Sequence, residues 1–150
     1  MVQNPDEIIR VFCCNTKNDN YNVCMINGII IMPINGQPYM RGEIFKGLSK
    51  IVDIVYVGLD DVKNVQGDIS LKANIIVSNL KNYMALSKKY IFFDCENQTP
   101  QQRKGIIQYA SKANYVVVGL VLDYENASYT ILKDITWDEG FQNIIYTSKE

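Results

Sequence analysis

Along this chain, short and almost unbroken apolar runs are separated by longer stretches in which apolar residues recur every three or four positions. The runs are GIIIM from Gly28 to Met32, closed by Pro33, then DIVYVG (53–58), YIFF (90–93), YVVVGLVL (115–122) and a shorter NIIYT (143–147). Apolar runs with so little alternation predict strands buried on both faces. Between them, Ile44, Phe45, Leu48 and Ile51 predict a helix over 41–51. Leu71, Ile75, Ile76, Leu80, Tyr83 and Met84 predict another over 70–86, with Ser70 as its N-cap. A third helix has the clearest start, with Thr99 as cap, Pro100 in the first helical position and Gln102 closing a capping box. Strands alternating with helix-length segments predict an α/β fold, a three-layer α-β-α arrangement around a mainly parallel five-stranded sheet.

Composition narrows this picture. At 150 residues, one domain spanning 1–150 is expected. Its first 25 residues, polar in stretches and ending in an Asn/Asp-rich region, read as an N-terminal appendage. A net charge of -1 supplies no global field for nucleic acid or an anionic membrane. The absence of histidine removes Ser-His-Asp and Cys-His catalysis. Cys13, Cys14, Cys24 and Cys95 form no CxxC pair, and without histidine no zinc site is expected. No signal peptide and no apolar run of membrane-spanning length is seen, so an intracellular protein, cytoplasmic or nuclear, is expected.

A parallel sheet binds ligands beyond the carboxyl ends of its strands, and the loops there carry the informative motifs. The segment after the third strand, Asp94-Cys95-Glu96-Asn97-Gln98-Thr99-Pro100-Gln101-Gln102-Arg103, resembles the D-x-T-N-x-T-P-x-x-R segment of polynucleotide-kinase-like (zeta-toxin-like) P-loop kinases, matching five of six specified positions. The turn at Glu139, Gly140 and Phe141 before the last strand is similar to that family's ending, and Asp60-Asp61-Val62-Lys63 is similar to its paired-acid turn. The resemblance implies a P-loop-kinase-like fold from about Gly28 to Tyr146. It implies that Asp94 descends from a Mg²⁺-organising acid and Asp60 from a base for the acceptor hydroxyl. It also makes Arg41, Lys63, Asn97 and Arg103 candidates for contact with nucleotide or acceptor. For each, the plainer role is a turn, a cap or a solvated side chain.

The chain departs from that family where phosphate would be gripped. A P-loop needs glycines that let backbone N–H groups converge, plus a Lys and a hydroxyl residue. The corresponding stretch, Met32 to Arg41 (MPINGQPYMR), has no GK[ST]. Pro33 and Pro38 each lack a donor, while Tyr39 and Met40 stand about where the Lys and hydroxyl belong. The interval from Asp123 to Trp137, where the family carries an arginine-bearing lid, holds no arginine. We therefore expect no kinase activity and no cofactor, and a binding or structural subunit of a larger protein assembly. Tyr39, Met40 and Phe45 are the candidate interface residues. Trp137 is expected to pack on the sheet edge. The alternatives are an atypical kinase using Arg41, Lys46 or a lysine supplied by a partner in place of the missing one, or a nucleic-acid-binding module keeping Lys63, Arg103 and Lys104.

Overall fold

The computed structural model describes residues 26–123 and 134–147. The appendage predicted over the first 25 residues, Cys13, Cys14 and Cys24, and most of the Asp123–Trp137 interval lie outside these. Five strands, β1 (Gly28–Ile34), β2 (Ile54–Gly58), β3 (Tyr90–Asp94), β4 (Tyr115–Val121) and β5 (Asn143–Tyr146), form one sheet in the order β2-β3-β1-β4-β5. Every pairing is parallel. The helices are α1 (Pro38–Ser49), α2 (Ile69–Ala85) and α3 (Pro100–Lys112). This is the three-layer α/β architecture expected.

Residue alternation along the strands explains the layers. Ile29, Ile31, Ile54, Phe92, Val118 and Leu120 point to one face and pack with Met40, Ile44 and Leu48 of α1. Ile30, Met32, Ile34, Val57, Ile91, Phe93 and Val117 point to the other, under Ile76, Leu80 and Met84 of α2 and Ile106, Ile107 and Ala110 of α3. The distribution follows from connection handedness. The β1-to-β2 crossover runs one way along the sheet, whereas the crossovers from β2 to β3 and from β3 to β4 run the other way. Right-handed connections must then put α1 on the face opposite α2 and α3.

Several element boundaries differ from the sequence reading, among them the start of α1, which is Pro38 and not Arg41. β1 continues through Pro33 instead of ending before it. In a parallel ladder, alternate residues bond alternate neighbours. The Ile29 N–H bonds the Lys89 carbonyl on the β3 side, and the Ile34 carbonyl accepts from Leu122 on the β4 side. Pro33 therefore faces β3, and the β1–β3 ladder has already ended at Ile31↔Phe92, so its missing N–H breaks nothing. Helix α2 is capped by Asp68, whose side chain accepts from the Leu71 N–H at 2.9 Å, and not by Ser70. Ile51 falls outside α1 and is exposed, as is Leu71 on α2. The third helix start is as read, with Thr99, Pro100 and Gln102 in their expected places.

Candidate functional site at the carboxyl end of the sheet

Because successive crossovers from β1 and β3 leave in opposite directions, the strand order reverses at β1. That switch point is where an open α/β sheet forms its ligand crevice. The residues singled out in sequence converge there. Only three residues, Asn35, Gly36 and Gln37, separate β1 from α1. Asn35 (φ 66°) and Gly36 (φ 85°) are both left-handed. A side chain at Gly36 would also collide with Leu122, 2.7 Å from where its Cβ would lie, so glycine is required twice over. The turn is held closed by the Asn35 side chain, which donates to the Leu122 carbonyl at 3.0 Å.

Arg41 leaves the first turn of α1 and points back beneath this turn. Its Nε donates to Asp94 Oδ1 in a buried ion pair, and its Nη1 donates to the Gly36 carbonyl at 2.9 Å. Asp94, the last residue of β3, is filled from the other side by the Tyr56 hydroxyl, which donates to Oδ2 at 2.6 Å. That same hydroxyl accepts from the Asp60 N–H at 3.1 Å. Burial, reinforced by the bond to Asp94, pushes the Tyr56 phenol well above the usual tyrosine range. Both charged partners are thus satisfied inside the protein, where charge-assisted bonds are strong and costly to break.

Asn97 (φ 53°) is buried, its side-chain amide reaching the carbonyls of Pro33 at 3.0 Å, Cys95 at 3.1 Å and Phe93 at 3.3 Å. It supplies to the ends of β1 and β3 the donor that a continuing ladder would have provided. Arg103 is not solvated but wholly buried, at 0% exposure. It donates to Glu139 through Nε (2.7 Å) and Nη2 (3.1 Å), to the Asn97 carbonyl (2.9 Å) and to the Asp134 carbonyl (3.0 Å). Glu139 in turn accepts from the Thr136 N–H at 3.0 Å. Arg103 therefore clamps the β3–α3 loop to the turn before β5, and its guanidinium is turned away from the crevice.

Asp60 and Lys63, on the 3₁₀ turn after β2, are exposed and line a cleft of about 530 Å³ with Arg41, Tyr56, Asp94 and the exposed Lys46. Of the candidate interface residues, Tyr39 is 66% exposed, whereas Met40 belongs to the core under α1 and Phe45 is half-buried edge-on to Tyr56. Trp137, expected against the sheet edge, is 58% exposed. Its short 3₁₀ turn instead directs Phe141 into the core. Cys95 lies at the mouth of a separate apolar cleft of about 600 Å³, and burial and the nearby Asp94 charge push its thiol up to about 12.

Tyr56 was not foreseen as part of this site. It sits mid-strand, and only the strand register, Tyr56↔Phe92 and Gly58↔Asp94, brings its hydroxyl to the carboxylate. Gly58 permits that approach, since a Cβ there would fall 2.1 Å from the Asp94 carbonyl oxygen. Among the described residues no group of three or more His, Cys, Asp or Glu side chains is arranged to hold a metal ion, and no helix is long and apolar enough to cross a membrane. No family model and no curated protein matches the chain.

Proposed function

We propose that this protein is a non-catalytic α/β subunit, of P-loop-kinase-like descent, that works by binding other macromolecules and not by transferring phosphate. The observation that carries the reading is the Arg41–Asp94 pair. It lines the switch-point crevice with a cation and a carboxylate that neutralise each other. A phosphate arriving there would have to separate them, and Mg²⁺ would have to take Asp94 from both Arg41 and Tyr56. A three-residue turn also offers too few N–H groups for a phosphate cradle, and Pro38, which begins α1, offers none. Fold alone assigns no activity, and it is the site's own pairing that speaks against phosphate transfer.

A second reading is favoured by one feature. Asp60 and Lys63 share a cleft with Asp94, which is where an acceptor hydroxyl or a nucleic-acid backbone would be held if that half of a kinase site persisted. Isothermal titration with Mg-ATP separates the two. No heat of binding at sub-millimolar ligand is expected. Micromolar binding that Asp94→Ala abolishes would overturn the non-catalytic reading, and transfer of radiolabelled phosphate to an oligonucleotide, lost in Asp60→Asn, would establish the second.

A further inference from the structure

Charge is segregated along the strand axis. Helices in parallel crossovers run antiparallel to the strands, so the C-termini of α1, α2 and α3 emerge at the amino end of the sheet. Among the described residues, that end carries Lys50, Lys81, Lys88, Lys89 and Lys112 against one nearby carboxylate, Asp53. Lysines near helix C-termini offset the macrodipole, but three C-termini supply only about −1.5 charges in all, less than half the lysine excess. Among the described residues, the opposite end carries Asp60, Asp61, Asp68, Glu96, Asp123, Asp134 and Asp138 against Lys46, Lys63, Lys72 and Lys104. Its two arginines are neutralised in the ion pairs with Asp94 and Glu139.

Exposed apolar side chains accompany both charge sets. At the acidic end, Ile69 (87%) and Leu59 line the apolar cleft floored by Val62, Ile76, Phe93 and Ile106, and Tyr39, at the start of α1, is exposed on the other face. At the basic end, Leu86 (69%) and Ile51 stand among the lysines. Beside Leu86 is a cleft of about 450 Å³ bordered by Met84, Tyr109 and Lys112, with the Lys81 ammonium 4.2 Å above the Tyr109 ring. Five strands about 4.8 Å apart and three layers about 10 Å apart give each end a footprint of roughly 24 by 30 Å. That is comparable to the roughly 800 Å² per partner that a specific interface needs.

We propose that copies of this chain associate head to tail, the lysine-rimmed amino end of one sheet docking on the acidic, apolar carboxyl end of the next. The proposal names the partner for the subunit reading above and rests on it only in that the carboxyl end is left free of nucleotide. A second copy is favoured over a polyanion because the chain is nearly neutral overall and its two ends are complementary in charge. Polyanions would meet an equally strong field of the wrong sign at the other end. A head-to-tail contact is heterologous, so it builds rings or open chains instead of closed dimers.

The test is sedimentation velocity on the full chain from 1 to 100 µM at about 50 mM and about 500 mM salt, conditions that change screening severalfold. The expected result is a mass that rises with concentration at low salt and returns to 17.1 kDa at high salt. Two charge-reversed variants, Lys88→Glu/Lys89→Glu and Glu96→Lys/Asp138→Lys, alter exposed or half-exposed side chains, and circular dichroism checks that each folds. Each alone should stay at monomer mass, and their mixture should form a species of twice that mass. A monomer at all concentrations in low salt overturns the proposal, as does continued association of either variant alone. Oligonucleotide binding by a chain that stays monomeric also overturns it, and assigns the basic end to a polyanion. Mg-ATP binding would overturn the non-catalytic reading without moving these masses, so the two failures are distinguishable.

Discussion

Arg103→Met removes a cation from a wholly buried site. Glu139, only 12% exposed at its side chain, would keep its charge and lose two donors, and the carbonyls of Asn97 and Asp134 would each lose one. Removing one partner of a buried ion pair costs about 3–5 kcal/mol, a large share of the roughly 5–15 kcal/mol that holds a domain folded. For a chain of this length the loss corresponds to a fall of about 10 °C in melting temperature. The companion Glu139→Gln removes the stranded charge, so Arg103→Met/Glu139→Gln should recover about 1–3 kcal/mol relative to the sum of the single changes. Urea unfolding followed by circular dichroism on the four proteins completes the cycle. If Arg103→Met stays within 1 kcal/mol of the parent, or the two losses simply add, the clamp is not holding the β3–α3 loop to the β5 turn. The side chain would then belong among ligand contacts.

Two further predictions concern titrating groups. A phenol with a raised folded-state value binds more protons folded than unfolded above the ordinary tyrosine range. Tyr56 therefore contributes stability that is present below about pH 10 and declines as pH rises beyond it. Tyr56→Phe should cost about 1–2 kcal/mol at neutral pH, where Asp94 loses a donor, and its stability should fall less steeply than the parent's between pH 10 and 11. Equal slopes would mean that the Tyr56 hydroxyl is solvated. Cys95, pushed up to about 12 against 9.0 for a free thiol, should be alkylated at pH 8 about 1,000-fold more slowly in the folded chain than after denaturation. Site-resolved mass spectrometry reads this directly, and comparable rates would place Cys95 at the surface.

How much of this was legible in sequence depended on whether the cause was local. The strands declared themselves as apolar runs, and the start of α3 as Thr99-Pro100 with Gln102, because both causes act within a few residues. Asp68 and Ser70 both have capping side chains, so the two-residue choice between them was not decidable locally. The reach of β1 through Pro33 depends on where a different strand stops. The burial of Arg103 depends on Glu139, 36 positions away, and on the turn that points it inward. Likewise, the sequence offers Arg41 as a ligand contact and Asp94 as a vestigial Mg²⁺-organising acid, and the sheet register makes them each other's partner. Isolated motif residues overstated the exposed chemistry of the site, since two of the arginines marked as anion readers are occupied by the protein itself.

The three-residue turn between β1 and α1 bears on any attempt to give this scaffold a nucleotide. A phosphate-binding loop of the GxxxxGK[ST] kind places a six-residue GxxxxG stretch ahead of its Lys. Here, Leu122 crowds Gly36 and the Asn35 side chain holds the turn to the neighbouring strand's end. Substituting lysine for Tyr39, which is 66% exposed, would therefore install a cation at the surface, not in a cradle. Acquiring the function would require an insertion and the release of Arg41 from Asp94 together, two changes of which neither alone is useful. The barrier is one of backbone length, and point substitution does not cross it.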